Sequence, residues 1–340
     1  MTKAFITGCA GLELTADERT FLTDEDPWGL ILFRRNCESA VQISALTASF
    51  REAVGRADAP VLIDQEGGRV QRLRPPLAPS YPPARRFGQL YELDREKGMR
   101  AAFLGARLIA HDLAALGITV DCMPVLDVLF PQTVDAIGDR AYADEPEAVA
   151  ALARAACDGL LAGGVLPVIK HLPGHGRAEV DSHLELPRVR APRSDLEALD
   201  MLPFRKLADL PLGMTCHLLF EDIDPDHPAT QSKIIIEQVI RRQIGFDGVL
   251  MSDDLSMEAL GGGIGSRAAK SFAAGCDLAL HCNGDMAEMR QVAEVAPELE
   301  GVSLARCDRA LASRRVPQAG FDALAARAEM DALLAGAELA

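Results

Sequence analysis

Three observations predict an α/β fold, a single (β/α)8 barrel. Short apolar runs of β character occur eight times, most are followed by a segment with helical spacing, and polar groups gather where five of the eight units end their strands. In order, the runs are Ala4 to Thr7, Gly29 to Phe33, Pro60 to Asp64, Thr119 to Met123, Leu166 to Lys170, Leu212 to Thr215, Gly248 to Ser252 and Asp277 to His281. Between them, good helix formers recur at helical spacing over Ala40 to Ala53, Asp94 to Leu116, Glu145 to Ala162, Asp195 to Leu207, Ser232 to Ile244 and Arg267 to Ala274. Alternation of this kind implies a parallel sheet, and eight units suffice to close it, with reactive groups where the strands end. The first two spacings are irregular and the Gln65 to Glu92 insert is long and rich in proline, so an open doubly wound sheet is the alternative. A chain of 340 residues, 49% of them apolar, has room for one large domain or two ordinary ones. The expectation is one catalytic barrel over residues 1–340.

Charge narrows the partners. Fifty acidic residues against 35 Lys and Arg give a formal charge of -15, which repels phosphate backbones and anionic lipid, so neither nucleic acid nor a membrane is an expected partner. The N-terminal apolar stretch is interrupted by Glu13 and Asp17 too soon for a signal peptide, and no run approaches a membrane span. A cytoplasmic location and a monomer are the defaults. Eight scattered cysteines form no CxxC pair and are read as buried, reduced thiols. One Trp and three Tyr leave little material for the stacking platform of a long polysaccharide cleft.

The chemistry concentrates in Lys170 to Pro187, KHLPGHGRAEVDSHLELP. Lys170 and His171 emerge from a buried strand, and Pro173, Gly174 and Gly176 break regular structure, placing His175, Asp181 and His183 on a loop. One residue separates Asp181 from His183; in extended chain both face one way, so the carboxylate can orient the imidazole as an acid/base dyad, or merely hold the loop. Asp253 and Asp254 end the seventh strand, where alternation turns them to opposite faces. One is then a reactive carboxylate and the other a cap, and position alone leaves Asp253 open between nucleophile and cap. Asp64, Asp127 and His217 are further strand-end groups, His217 reading as a hydrogen-bonded structural histidine. Arg72 and Arg140 offer forks suited to hydroxyls or carboxylates, as do Arg69 and Arg74, and Gly67-Gly68 permits close backbone approach. His171, His175, Asp181 and His183 also admit a metal-dependent barrel hydrolase, although His171 and His175 straddle Pro173-Gly174 and are no helical pair.

With these residues in view, the sequence resembles the family-3 glycoside hydrolases, in particular their single-domain bacterial β-N-acetylglucosaminidases. AGLELTADE, GLILFRRN, LIDQEGGRVQRL, PVLDV, IGDRAY, KHLPGHG, DSHLELP, MTCHLLF and MSDDLSM follow one another in the family's order over nearly the whole chain. The resemblance implies a (β/α)8 barrel, no cofactor or resident metal, a retaining mechanism and a cytoplasmic role in recycling peptidoglycan fragments. It makes Asp253 the nucleophile, His183 the acid/base and Asp181 its partner, and it assigns Asp64, Arg72, Arg140, Lys170 and His171 to the terminal N-acetylglucosamine. Larger relatives add a domain that can supply a proton donor; with the barrel filling the chain, the donor is expected on a barrel loop that swings inward over substrate. Leu172, where an aromatic is common, Arg177 and Cys216 depart from the pattern.

Overall fold

The computed structural model describes residues 1–182, 184–317 and 320–336. Eight parallel strands form a closed barrel: β1 (Lys3–Thr7), β2 (Pro27–Leu32), β3 (Val61–Ile63), β4 (Val120–Asp121), β5 (Leu166–Leu172), β6 (Leu212–Thr215), β7 (Val249–Asp254) and β8 (Leu278–His281). Each pairs with its neighbours in sequence, and β1 closes the ring by pairing with both β2 and β8. The open-sheet alternative is therefore excluded. Every position of β2 and β5 is buried, as expected of barrel strands covered on both faces. That makes Lys170 and His171, inside β5, conspicuous.

Local signals explain most of the helices. Thr15 and Glu18 form a reciprocal capping box on Ala16–Glu25, Ser39 caps Ala40–Ala53, Asp94 caps Arg95–Ala115, and Pro146 opens Pro146–Ala162. The helix expected over Asp195 to Leu207 is instead broken into Arg193–Asp195, a wide turn over Leu196–Asp200 and Leu202–Lys206. Pro203 has no N–H to continue an α-helical ladder, and the Met201 amide reaches five residues back to the Leu196 carbonyl. Helices Ala84–Leu93, Met286–Val295, Gly301–Ala312 and Ala323–Gly336 add to those expected. The last packs Ala326, Met330 and Leu334 inward, and Arg100 bridges it through both oxygens of Glu329 at 2.7 and 2.9 Å.

The proline-rich insert has structure of its own. Gln65–Gly67 and Val70–Gln71 form an antiparallel hairpin whose glutamines bond the Leu73 and Pro79 carbonyls and the Leu73 and Tyr81 amides. Gly67 has φ 95°, and a Cβ there would lie 2.4 Å from the Pro82 carbonyl oxygen. The glycine pair thus permits close approach of the chain to itself. The hairpin delivers Glu66, Arg69 and Arg72 to the barrel mouth.

Candidate active site

A cavity of about 380 Å³ opens at the C-terminal ends of the strands. Asp64, Arg72, Arg140, Lys170, His171, Asp181 and Asp253 all line it, so seven of the eight expected site residues come together. The eighth, His183, lies outside the described residues.

One wall is a buried ionic network. Lys170 pairs with Glu66 at 2.7 Å and donates to Asp64 at 3.2 Å; Arg72 reaches the other Asp64 oxygen at 2.8 Å; Arg140 grips both Glu66 oxygens at 2.8 Å. Glu66 joins two expected binding residues, yet sequence reasoning passed it over because only its place between Asp64 and the glycine pair marks it. Burial pushes the Glu66 carboxyl up, but Arg140 and Lys170 together outweigh it and hold it at about 2. The same contest leaves Asp64 well below the usual carboxylate range, under Lys170 and Arg72. For Lys170, burial favours loss of the proton, and the two carboxylates reverse that and keep the ammonium charged. Two carboxylates held among three cations and fixed in direction form a preset array of charged donors and acceptors with one positive charge in excess. Phe33 lines the same cavity, with the Arg72 and Arg35 guanidinium carbons 4.8 and 5.1 Å from its ring centre.

A second network centres on Asp127, which the chain places after β4 and which is fully buried. It accepts the His171 ring Nδ1–H at 2.7 Å, the His171 amide at 3.2 Å and the His175 amide at 2.7 Å. Burial opposes its charge, but His171 and these bonds prevail and hold it at about 2. The bond to Nδ1 fixes the His171 ring and turns Nε2 away from Asp127. His175 packs edge-on against that ring, 5.5 Å between centres, and burial pushes its imidazole down to about 4. Its Nε2 lies 3.3 Å from the Ser182 Oγ, whereas its Nδ1 is buried without a partner among the described residues.

Asp253 and Asp254 both line the cavity, contrary to the opposite facing expected. The register of β7 against β8 shifts between Met251 and Asp254, which breaks the alternation. Bonding separates the two carboxylates instead. Asp254 accepts the Ser256 amide at 3.0 Å, the Ser256 hydroxyl at 2.6 Å and the Cys282 amide at 3.2 Å, so it holds the turn after β7. Asp253 accepts only the Asp254 amide, at 2.8 Å through Oδ1, and forms no ion pair among the described residues. Burial pushes Asp253 up, but His171 and His217 outweigh it and keep the carboxylate ionised. His217 is enclosed, bonded at Nδ1 to Thr230 and at Nε2 to the Asp254 carbonyl, as its structural reading expects.

The loop after β5 is pinned near its start. Thr133 Oγ1 donates to the Gly176 carbonyl at 2.6 Å, the Val134 amide donates to the Ala178 carbonyl at 2.8 Å, and a Cβ at Gly176 would overlap the Val128 carbonyl oxygen. Arg177 stacks 4.1 Å from the Phe130 ring centre and bonds Asp200 at 2.8 Å, on the wide turn that Pro203 ends. Asp181 and Ser182 then return to the cavity. How Asp181 faces His183 lies outside the described residues. No group of three or more His, Cys, Asp or Glu side chains is placed to hold a metal among the described residues. All eight cysteines are free thiols, seven buried and Cys37 half-buried.

A closed parallel barrel with an ionised carboxylate and a buried array of charged donors and acceptors at its C-terminal mouth has the layout of a barrel glycosidase. Comparison with known proteins is specific. The glycosyl hydrolase family 3 N-terminal domain matches residues 7–318. A β-hexosaminidase of Xanthomonas axonopodis pv. citri is 38% identical over 307 residues, 88% of either chain, and one of Alkalilimnicola ehrlichii is 41% identical over 280 residues, 81% of this chain and 79% of that protein. The crystal structure of NagZ from Neisseria gonorrhoeae in complex with N-trifluoroacetyl-D-glucosamine has a TM-score of 0.88 and 35% identity, covering 99% of this chain and 98% of that one. The chain belongs to glycosyl hydrolase family 3.

Proposed function

We propose that this family-3 β-N-acetylglucosaminidase is a retaining exo-enzyme that removes terminal N-acetylglucosamine from peptidoglycan fragments, 1,6-anhydro-muropeptides, during cytoplasmic cell-wall recycling. Residues 1–340 act as one catalytic barrel and a monomer, without cofactor or resident metal. The observation that carries the reading is Asp253: an ionised carboxylate with Oδ1 engaged by a backbone amide, in the same cavity as the Asp64, Arg72 and Lys170 array. Asp64, Arg72, Arg140, Lys170 and His171 take the hydroxyls of the terminal sugar.

Asp253 Oδ2 attacks the anomeric carbon as the glycosidic C–O bond breaks, and the leaving oxygen takes a proton from His183, which Asp181 orients. A covalent glycosyl-enzyme results. Water then attacks the same carbon, His183 accepts its proton, and the ester bond returns its electrons to Asp253. Two inversions retain the β configuration. Low aromatic content fits an enzyme that takes one terminal sugar and a short aglycone.

The test measures release of 4-nitrophenol from its N-acetyl-β-glucosaminide, with and without chelator, by wild type, Asp253→Asn and His183→Ala. Chelator-resistant turnover is expected. Asp253→Asn should lose about 10⁴-fold in kcat and His183→Ala about 10²-fold or more. An Asp253→Asn variant with near-normal turnover removes the nucleophile, and loss of wild-type activity to chelator moves the reading to a metal-dependent hydrolase.

A further inference from the structure

We propose that His175 is a positioning residue for the acid/base segment: its imidazole holds Ser182, which stands between Asp181 and His183 in the chain, against the cavity. The inference rests on the retaining reading above and adds to it a residue that touches neither sugar nor leaving group.

Ser182 is tied from two sides. Its hydroxyl lies 3.3 Å from His175 Nε2, and its carbonyl accepts the Ala259 amide at 3.2 Å. Ala259 follows the turn that Asp254 holds after β7, so Ser182 is fastened both to the segment bearing His171 and to the one bearing Asp253. His175 is itself fixed. Its amide bonds the Asp127 carboxylate that also bonds His171, and its ring lies edge-on against the His171 ring. One buried carboxylate thereby orients a sugar-binding histidine and, through His175, the loop opposite.

Packing alone does not explain an imidazole here. An apolar ring of similar size would fill the space without burying Nδ1, which has no partner among the described residues. What it would lack is the bond that Nε2 makes. The loop is pinned at Gly176 to Ala178, Glu179 beyond it is exposed, and Ser182 is buried and held through both its hydroxyl and its carbonyl. Displacements of about 1 Å in a proton donor cost as much as 10²-fold in rate.

The experiment compares kcat/KM for two N-acetyl-β-glucosaminides. One carries 4-methoxyphenol, which needs protonation to leave; the other carries 2,4-dinitrophenol, which does not. Wild type, Ser182→Ala, Ser182→Thr, His175→Phe and His175→Gln are assayed, with folding checked by circular dichroism. Ser182→Ala and His175→Phe are expected to lose about 10- to 100-fold on the 4-methoxyphenyl substrate and under about 3-fold on the dinitrophenyl one. Ser182→Thr and His175→Gln, which keep a hydrogen-bonding group, should recover most of the loss. Equal losses on both substrates, or an unaffected Ser182→Ala, would overturn the proposal, and Ser182→Ala carries that decision even if the His175 variants fail to fold. A wild type inactive on both substrates would overturn the retaining reading itself, a different result from an active enzyme indifferent to Ser182.

Discussion

Replacing Glu66 by Gln keeps the shape of the side chain and one carbonyl oxygen but removes its charge. In the folded chain that charge faces Lys170 and the Nε and Nη2 of Arg140, with the carboxylate almost fully enclosed. Its value falls from 4.5 to about 2 on folding, and at about 1.4 kcal/mol per pH unit the difference amounts to about 3 kcal/mol. Removing one partner of a buried ion pair costs about 3–5 kcal/mol, which agrees. Because the folded value is depressed, the contribution is complete above about pH 5 and is lost as pH falls toward 2. Urea unfolding of wild type and Glu66→Gln at pH 7 should differ by about 3 kcal/mol, and at pH 3 by about half of that. KM for the nitrophenyl substrate should rise, since Arg140 and Lys170 lose their common anchor. Equal stability at pH 7, or a gap that does not narrow with acid, would refute the account of Glu66 as the charge that makes Lys170 tolerable.

Asp200 gives the opposite sign: burial pushes its carboxyl up to about 6 despite Arg177, so its ionisation costs stability as pH rises from about 4 to 6. Asp200→Asn should therefore gain on wild type by about 3 kcal/mol between pH 4 and pH 7 in urea titrations, and a constant difference would contradict it. Gly67→Ala, at positive φ against the Pro82 carbonyl, should cost at least about 2 kcal/mol and shift the hairpin that carries Arg72; an unchanged melting temperature would speak against that geometry. Asp127→Asn leaves His171 and His175 without their shared anion and should lower kcat/KM about 10²-fold, with retained activity counting against the network.

Strands were legible because a barrel interior demands continuous apolar runs, and the polar residues that interrupt them, Asp64, Lys170, His171 and Asp253, stand out for that reason. Capped helices with strong formers were legible too. Ala84–Leu93 was not: it sits in a proline-rich insert where turn signals dominate, and only packing against Arg95–Ala115 and Pro146–Ala162 gives it a place. Glu66 was hidden because its importance lies in the side chains it joins, far away in the chain. Likewise, the strict two-residue period misread Asp253 and Asp254, since a register shift leaves no mark in the sequence. The wide turn at Leu196–Asp200 depended on the reach of the Met201 amide back to the Leu196 carbonyl, ahead of Pro203.

Lys170 lies 106 residues after Asp64, the partner it meets inside the barrel. During synthesis, at roughly 5–20 residues per second, Asp64 and Glu66 therefore leave the ribosome several seconds before Lys170, the cation they share, although Arg72 follows Asp64 closely. Until β5 arrives, Asp64 and Glu66 have Arg72 and Arg140 but lack the ammonium that joins the two pairs into one network. The ionic wall then has a temporal role: it ties completion of the interior to the emergence of the strand that finishes the site.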